Sequence, residues 1–567
     1  MTLESLAELL AASGGITDDL VTSCVWSDAM VDASGIEVRD VPLVTVGGGI
    51  GSFAMLDVLR IAGVSPEYLA AIGPYVDAYT SLRSLLINSQ ISDDDRIRSG
   101  SSDRMDNIWG WPGYGMHEAI KHKSLSRLVH LATEPVLAEY YTPKAGDVYA
   151  LMDQEAERIS WYKMFICGRV PLVRRRFEGG YFVLVVPPDG SSPSGVGIIR
   201  ARYVHLSVGA SSVHLLEDFK EYRESTGDLE HVVNVYEPHE HVYEELVKRP
   251  GSRVLVRGSA SSSMQVLQRL IHDRDVHGTD VEIYHLFRNY VDGPQGPYTF
   301  RIPGGDGFSY QPFTAAKAAF GGQYQGTYRS MDDDEMRSAL AAALVSTAVP
   351  RRSSWQRMLA RGRKEGWYHV IKGSADGLRS GHNGAVIATV KSGNEDDGEV
   401  GDASHLRSGH ADVGHADVGH AQEIGATTGL SGSDEAFRSS VLLGGKDTVD
   451  LEVDFVIDAT GVDANMRDHE VLADLVDCGG ALLNAAGQLA VNCNFEVEGV
   501  RNGDGRIFAS GFPVLGNPYV IPMYSFWGYQ YVAWLVHNAL ASEEFCNRIG
   551  LRRSINQWWR KQRGLPP

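Results

Sequence analysis

An apolar segment that runs into a glycine-rich loop is the feature that most constrains the fold of this chain. Residues 47–52 read Gly-Gly-Gly-Ile-Gly-Ser, and a helix is predicted over 53–62. Gly47 permits a tight turn from strand into helix, Gly49 lets the backbone approach a pyrophosphate, and the small Ser52 allows close packing of helix and strand. The N-terminus of the helix would offer free N–H groups and a positive dipole to the phosphates. The pattern therefore predicts a dinucleotide-binding βαβ unit.

One acidic residue that usually accompanies such a loop is absent. In dinucleotide-binding units, a carboxylate at the end of the next strand, about twenty residues on, binds the ribose hydroxyls. That strand is predicted at 68–72 and is followed by Gly73, while Glu67 lies at its other end. We therefore expect backbone groups or Arg83 to hold the adenosine ribose.

The rest of the chain alternates between strand and helix patterns. At 567 residues it is too long for one hydrophobic core, so two or three domains are expected. Strands are predicted at 203–209, 253–257 and 281–287, with a helix at 264–272. This alternation favours parallel sheets.

A segment of biased composition interrupts this pattern between residues 394 and 439. It is rich in Gly, Asp, His and Ser and cannot bury enough apolar surface to order itself. We interpret it as a solvated insert loop. The alternative is a metal site, because the segment contains histidines and aspartates that could be ligands: His410, His415, His420, Asp412 and Asp417.

The composition and the cysteines exclude several classes of function. A formal charge of −20 argues against a general affinity for nucleic acid or anionic membranes, although local basic pockets for phosphate remain compatible with it. The five cysteines contain no CxxC pair, which is typical of free thiols in a reducing cytosol. We see no signal peptide, and we expect the aromatic stretch 519–536 to be a buried helix. The chain is thus predicted to be cytoplasmic, without a membrane span.

Three motifs, taken in order, resemble those of the two-dinucleotide-binding flavoproteins. This superfamily includes flavin monooxygenases and pyridine-nucleotide disulfide reductases. The loop at 47–52 resembles the FAD loop, and Asp458-Ala459-Thr460-Gly461 resembles the "ATG" strand end where the chain passes between domains. Residues 506–511 resemble the late FAD strand, but Phe512 replaces the aspartate that usually contacts the ribityl chain. The resemblance implies an FAD site built from three separate segments.

The same resemblance makes residues 258–263 a candidate NAD(P)H loop. Gly258 is retained, whereas Ala260 and Ser263 stand where the second and third glycines are usual. The methyl group of Ala260 would lie where the backbone must approach the phosphates. One alternative is therefore that the fold is retained but the loop no longer binds a nucleotide. Binding of NADPH or NADH is the alternative that we favour. Arg288, at the end of the following strand, would then pair with a 2′-phosphate.

The predicted fold class is α/β, with two Rossmann-like, doubly wound, three-layer dinucleotide-binding domains, the second inserted in the first. Residues 1–40 form an N-terminal helical extension in this prediction. Residues 41–212 and 440–567 form a discontinuous FAD-binding domain, and 213–393 form an NAD(P)H-binding-like domain.

The candidate cofactor-binding residues lie in these loops and in one further segment. Serines, arginines and tryptophans between glycines at 96–115 make a plausible loop around a planar ligand, because indole rings stack on flavins. No catalytic residue and no metal ligand is assigned. The full set is Gly47, Gly49, Ile50, Gly51, Ser52, Arg104, Trp109, Thr460, Gly461, Gly511 and Phe512, with Gly258, Ser259, Ser263 and Arg288 for the second nucleotide.

The function predicted from these features is that of an FAD-dependent oxidoreductase. The absence of a redox-active CxxC favours an NAD(P)H-dependent monooxygenase over a disulfide reductase, with a small amine or polar metabolite as substrate. The FxGxxxH fingerprint of one monooxygenase branch is also absent, since the segment beginning at Phe177 does not continue to a histidine. Two alternatives stay open: a flavin oxidase or dehydrogenase reduced by its own substrate, and a non-catalytic binding protein with a degenerate cofactor fold.

Overall fold

The computed structural model describes most of the chain. The described residues are 18–97, 113–129, 142–188, 196–210, 212–213, 215–259, 261–287, 353–392, 448–463, 465–518 and 525–567. The biased segment 394–439 lies outside them, as do Arg104, Trp109, Ala260 and Arg288.

Strands and helices alternate along most of the described chain. In chain order the strands are β1 (Val25–Trp26), β2 (Val38–Asp40), β3 (Leu43–Val46), β4 (Leu69–Gly73), β5 (Phe165–Cys167), β6 (Arg169–Arg176), β7 (Tyr181–Val186), β8 (Gly197–Ala201), β9 (Tyr203–Leu206), β10 (Ser212–Val213), β11 (Val232–Asn234), β12 (Ser252–Arg257), β13 (Val281–Phe287), β14 (Tyr368–Ser380), β15 (Val386–Ser392), β16 (Thr448–Val453), β17 (Phe455–Asp458), β18 (Val462–Asp463) and β19 (Arg506–Ala509). The helices are α1 (Asp18–Thr22), α2 (Asp28–Ser34), α3 (Ile50–Ile61), α4 (Thr80–Asn88), α5 (Tyr114–Lys121), α6 (Ala145–Ile159), α7 (Trp161–Met164), α8 (Glu217–Thr226), α9 (Glu240–Lys248), α10 (Ser261–His277), α11 (Ser353–Glu365), α12 (Glu470–Asp477), α13 (Phe526–Ser542) and α14 (Leu551–Gln562).

The first glycine loop follows the central strand of a five-stranded parallel sheet. The strand order is β19-β9-β3-β4-β5, and every pair is parallel. All residues of β3, β4 and β9 are buried, as continuous apolar strands covered on both faces require. The sheet joins segments from both ends of the chain, because β19 pairs with β9 from residue 506.

The second glycine loop follows a strand of a seven-stranded sheet with the order β11-β17-β12-β13-β14-β15-β16. Its first five strands are parallel, and β15 and β16 extend it as antiparallel strands. Here the structure departs from the expected domain division. Residues 448–458 were assigned with 440–567 to the FAD-binding part, but β16 and β17 pair in this sheet instead.

A third sheet carries the N-terminal segment, with the order β1-β6-β7-β8-β2. The expected helical extension is therefore only partly correct. Helices α1 and α2 are present in the described part of this segment, but β1 and β2 form the two edges of the sheet by parallel pairing with β6 and β8. Local periodicity favours helix here, whereas these short edge strands depend on their neighbours.

A disulfide also departs from the expectation of free thiols. Cys24, just before β1, is bonded to Cys478 at the end of α12, 454 positions away in sequence. Cys167, Cys493 and Cys546 are not part of a disulfide. Sequence spacing gave no sign of the pair, because the contact exists only once the two distant segments lie side by side.

The aromatic stretch near the C-terminus forms the helix that was expected, within its described part. Helix α13 packs against α3, and side chains such as Val532 and Val536 belong to the core around the first sheet. Throughout the described ranges, no helix combines the length and apolar character needed to cross a bilayer.

Candidate functional site

The loop 47–52 turns sharply between β3 and α3, and its first residue must be glycine. Gly47 has a φ of +96°, a left-handed conformation that side chains disfavour. Its N–H donates to the carbonyl oxygen of Ile72 at 2.8 Å, which ties the loop to the end of β4. A Cβ atom on Gly47 would clash with the carbonyl oxygen of Ser207 after β9. The loop therefore lies where three strand ends meet.

The second glycine of the motif has a different surrounding. Gly49 is the N-cap of α3, with an ordinary φ of −87° and no side-chain cap. The nearest atom to a Cβ there would be the carbonyl oxygen of Ala78, at 3.9 Å. Packing within the protein thus does not require a glycine at 49, whereas a ligand lying against the loop would. The N–H groups of the first turn, at Ile50, Gly51 and Ser52, are those that an anion at this end would meet.

The last two residues of the loop serve packing. A Cβ on Gly51 would clash with Ser207 Oγ and lie 2.7 Å from the ring of Tyr529 on α13. Ser52 is fully buried, and its hydroxyl donates to the carbonyl oxygen of Gly47. Small residues at both positions let α3 approach the sheet and α13, as the sequence predicts for Ser52.

A buried polar chain below the loop joins the ends of β9 and β19. His205 Nε2 lies 2.9 Å from Ser510 Oγ, which donates to Ser207 Oγ at 3.1 Å. Because Ser510 uses its proton on Ser207, it accepts from His205, so the Nε2–H tautomer is present. Burial lowers the pKa of His205 to about 3, and the ring is neutral near pH 7. No sequence pattern marks these three residues.

The adenosine side of the loop contains no acidic residue at the strand end, as the sequence indicates. Strand β4 ends at Gly73, which lies against Gly48: a Cβ on Gly48 would be 3.1 Å from the Cα of Gly73. Arg83 was one candidate for holding the ribose, but its guanidinium pairs with Asp93 at 2.6 Å. Backbone groups of this loop are therefore the better candidates.

The loop after β12 repeats the backbone geometry of the first loop. Gly258 has a φ of +113°, and its N–H donates to the carbonyl oxygen of Leu286 at 3.1 Å. A Cβ there would lie 2.5 Å from the carbonyl oxygen of Ala459, after β17. Gly258 thus makes the contacts that Gly47 makes: one to the end of the next strand along the chain, and one to the neighbouring strand end.

The serines of the two loops also correspond. Ser52 and Ser263 each lie five residues after the first glycine, and both are fully buried. Ser259 is buried as well, and Tyr236 binds the hydroxyl of Ser262 at 2.9 Å. The altered residues of the second motif therefore leave its described backbone in the same arrangement as the first.

A neutral histidine supports the second loop from below. His285 on β13 lies with Nε2 2.6 Å from the carbonyl oxygen of Gly258 and with Nδ1 2.8 Å from the hydroxyl of Tyr368. Since a carbonyl only accepts, Nε2 carries the proton and Nδ1 accepts from the tyrosine. Burial lowers the pKa of His285 to about 4. In the first loop, the equivalent carbonyl oxygen is bound by Ser52 instead.

The Asp458–Gly461 segment lies at the crossing between the sheets, next to the second loop. Asp458 ends β17 and is fully buried, and the N–H of Ala459 donates to the backbone carbonyl oxygen of Arg257 at 2.8 Å. Gly461 has a φ of +130°, after which β18 pairs with β10. The structure therefore places Thr460 and Gly461 beside Gly258, not as part of the first loop, with which the motif order had grouped them.

The segment that follows β19 does reach the first loop. Gly511, with a φ of +82°, follows β19, and a Cβ there would lie 3.0 Å from the ring of Tyr529. The same ring leaves no room for a side chain at Gly51. Tyr529 therefore lies against two candidate segments that are far apart in sequence. Phe512 is half-buried and lines a narrow crevice with His469, Gln488 and four apolar or small residues: Gly209, Met466, Leu472 and Pro513.

His469 is the titratable side chain that faces this crevice. Its Nε2 lies 3.0 Å from the carbonyl oxygen of Gly209, to which it donates. Burial is the main cause that lowers its pKa, so the ring is neutral at pH 7. Among the described residues, no group of three or more His, Cys, Asp or Glu side chains is arranged to hold a metal ion.

Comparison with known proteins identifies the fold. The search of protein-family models finds no match, and the search of curated proteins finds no significant one. Solved structures do match over almost the whole chain. The cadaverine monooxygenase DfoA of Erwinia amylovora, solved with FAD, aligns with a TM-score of 0.58 at 11% identity, over 90% of this chain and 98% of its own.

Two further structures agree. The ornithine N-hydroxylase KtzI of Kutzneria sp. 744, solved with reduced FAD, NADP+ and L-ornithine, has a TM-score of 0.55 at 13% identity, covering 89% of this chain and 100% of its own. The L-lysine 6-monooxygenase of Pseudomonas syringae has a TM-score of 0.55 at 12% identity, covering 88% and 99%. The predicted α/β fold class is confirmed: the chain shares its fold with these flavin-dependent monooxygenases.

Proposed function

We propose that this chain is an FAD- and NADPH-dependent monooxygenase that hydroxylates the terminal primary amine of a small aliphatic molecule. The observation that carries the proposal is the repeated loop geometry at Gly47 and Gly258, within a fold shared over nine-tenths of the chain with an amine monooxygenase. Two equivalent loops fit an enzyme that holds two dinucleotides at once, one as a bound cofactor and one as a reductant.

The residues divide between the two nucleotides according to the sheet they follow. Gly47, Gly49, Ile50, Gly51 and Ser52 would hold the FAD pyrophosphate at the N-terminus of α3, with Gly511 and Phe512 on the flavin side. Gly258, Ser259 and Ser263 would hold the pyrophosphate of NADPH at α10, beside Thr460 and Gly461. Bound FAD would supply the chemistry of accepting a hydride and activating oxygen.

The buried histidines beside the two loops are placed to hold backbone and serine groups, not to transfer protons to a substrate. His205 and His285 stay neutral at pH 7. His285 holds the carbonyl of Gly258 by a hydrogen bond, and His205 holds Ser510 at the end of β19. Phe512 places a ring where a carboxylate is usual, so the ribityl chain would rely on backbone groups. Arg104, Trp109 and Arg288 remain predictions, since they lie outside the described residues.

We also propose the division into domains that the sheets suggest. The FAD-binding part would comprise residues 41–209 and 465–567, and the nucleotide-binding part 215–463. This moves the second boundary of the sequence-based division from 440 to about 464, since β16 and β17 pair in the second sheet. A cytoplasmic location, where NADPH is supplied, belongs to the same proposal.

The substrate class follows from the shared fold. The three enzymes compared above act, by their names, on cadaverine, ornithine and lysine, each of which has an aliphatic primary amine. The test is NADPH oxidation by the purified, FAD-loaded protein with cadaverine, ornithine and lysine in turn, with detection of the hydroxylamine product. The matched control is each amine acetylated at every terminal amino group (diacetylated cadaverine, and ornithine and lysine acetylated on the side chain), because it retains the carbon chain but has no free terminal amine.

The expected result is product formation with at least one free amine and with none of the acetylated forms. Reduction of the flavin by NADPH without product from any amine would overturn the substrate class but leave the flavoprotein assignment intact. Reduction by a substrate without NADPH would instead support the oxidase alternative.

A further inference from the structure

Helix α14, near the C-terminus, has its polar side facing the protein. Ser554 and Gln557 are buried, and Gln557 accepts a hydrogen bond from Arg158 at 3.1 Å. Lys561 is only 8% exposed and pairs with the buried carboxylate of Glu155 at 2.6 Å. These polar contacts attach α14 to α6, while Leu551, Ile555 and Trp559 of the same helix stay exposed.

Three of the four large apolar side chains of α14 face outward, and the fourth, Trp558, is half-buried. Leu551, Ile555 and Trp559 are 54%, 39% and 53% exposed. They are spaced four residues apart, so they form one stripe along the helix. Leu565, just beyond the helix, is 42% exposed. A surface helix of a globular protein normally presents the opposite arrangement, with its apolar stripe on the core.

Arginines flank this stripe. An open groove of about 640 Å³ beside α14 is lined by Arg548, Arg552, Arg553 and Arg560. Residues 545–567 contain six basic side chains and no acidic one, in a chain with a formal charge of −20. Neither Arg548 nor Arg552 forms an ion pair with any described residue, and both are exposed. The patch made of α14, Arg548 and Leu565 is therefore both cationic and apolar.

We propose that this patch docks the protein onto an anionic lipid surface. Trp559 and the leucines would enter the headgroup region, and the flanking arginines would contact lipid phosphates, as in interfacial amphipathic helices. The net charge of the chain does not prevent this, because charges more than about 8 Å from the membrane are largely screened at physiological ionic strength.

A second copy of the chain fits this patch less well. A two-fold dimer places the same patch on both sides of the interface, so the arginines of one copy would face those of the other. A flat anionic surface meets no such repulsion. The proposal concerns a surface outside both nucleotide sites and is independent of the substrate.

The test is cosedimentation of the full-length protein with vesicles. Two compositions are compared: phosphatidylcholine alone, and an equal mixture of phosphatidylcholine and phosphatidylglycerol. We expect binding to the mixed vesicles only, weakening as salt is raised. Since each basic residue near an anionic surface contributes about fivefold, the double variant Arg548→Glu/Arg552→Glu should bind at least roughly 25-fold more weakly.

Two matched variants complete the design. Arg39→Glu/Arg501→Glu makes the same charge change at exposed positions elsewhere and should bind within about twofold of the original protein. Leu551→Ser/Trp559→Ser tests the apolar stripe and should also lose binding. Far-ultraviolet circular dichroism of every variant establishes that each is folded.

Three results would overturn the proposal. The first is no binding of the original protein to the mixed vesicles. The second is equal loss in the Arg39/Arg501 control. The third is an oligomer in light scattering that Leu551→Ser/Trp559→Ser dissociates, because the patch would then be covered by a second copy.

Discussion

At the scale of single residues, Gly47 and Gly49 of the first loop are glycine for different reasons. Gly47 is required by its own backbone and by Ser207, whereas no described residue comes nearer than 3.9 Å to a Cβ atom at Gly49. The sequence motif treats these positions as equivalent parts of one pattern. Their separate substitution therefore distinguishes a residue that holds the fold from one that makes room for a ligand.

We predict that Gly49→Ala weakens FAD binding without unfolding the protein. A methyl group at 49 meets nothing nearer than Ala78 but lies where the phosphates would approach, and such overpacking costs about 1–3 kcal/mol. FAD affinity should fall by roughly fivefold to a hundredfold, as measured by fluorescence titration of the apoprotein. Thermal unfolding of the apoprotein should hardly change.

Gly47→Ala is the contrasting variant. Its methyl group meets the carbonyl of Ser207 in a left-handed backbone, so the melting temperature of the apoprotein should fall together with FAD affinity. If Gly49→Ala destabilised the apoprotein as much as Gly47→Ala does, the assignment of a ligand to the space at Gly49 would be wrong.

Arg288→Ala is predicted to weaken NADPH more than NADH. Arg288 follows β13 in sequence, where a guanidinium can pair with the 2′-phosphate that only NADPH has. The measurement is the dependence of the anaerobic flavin reduction rate on the concentration of each nucleotide. Equal weakening for both would remove Arg288 from this role.

The buried histidines predict a loss of stability in acid. Burial lowers the pKa of His285 to about 4, below the unfolded value near 6.5, so the folded state binds fewer protons between these limits. The stabilisation is complete above pH 6.5 and decreases as the pH falls towards 4. His285→Gln retains a donor and an acceptor, and its unfolding free energy should vary with pH by up to about 1.4 kcal/mol per unit less than that of the original protein. Parallel curves from denaturant unfolding would contradict this.

At the scale of elements, the sequence predicts individual strands well and their partners less well. Strands at 43–46, 69–73, 252–257 and 281–287 lie where the apolar runs and glycine turns place them. Their signals are local: a buried parallel strand is a continuous apolar run that ends in a turn. Sheet membership is not local. For this reason β17 was expected in the first sheet, although its ladder bonds are to β11 and β12.

The candidate site shows the same division. The glycines of both loops were predictable, because a positive φ or a close approach leaves few alternatives to glycine. The roles of Tyr529, Ser207 and His205 were not predictable, since each contacts the site through a residue that is far away in sequence. Tyr529, for example, limits both Gly51 and Gly511 from helix α13.

The disulfide between the N-terminal segment and α12 gives a prediction at this scale. Titration of the denatured protein with a thiol reagent, without reductant, should find three reactive thiols among the five cysteines. Cys24→Ser should then give four, because Cys478 would lose its partner. A count of five reactive thiols in the original protein would contradict the disulfide and agree with the sequence-based prediction of free thiols.

At the scale of the whole molecule, the chain passes twice between the units built on the first and second sheets. The first sheet takes strands from residues 43 to 509, and the second sheet is formed largely by the chain between them. The crossing at β10 and β18 brings Gly461 beside the second loop. Under the proposed function, one unit would retain the FAD while the other would exchange the reductant.

The central claim is that both units bind their nucleotides, and anaerobic reduction of the flavin tests it most directly. The purified protein should be yellow, with about one FAD per chain, and its absorbance near 450 nm, the usual flavin band, should bleach when NADPH is added without oxygen. Gly258→Val should keep the FAD but abolish the bleaching, because its side chain would clash with the carbonyl of Ala459 and close the second loop. A colourless protein that takes up no FAD, or a yellow one that NADPH fails to bleach, would contradict the account.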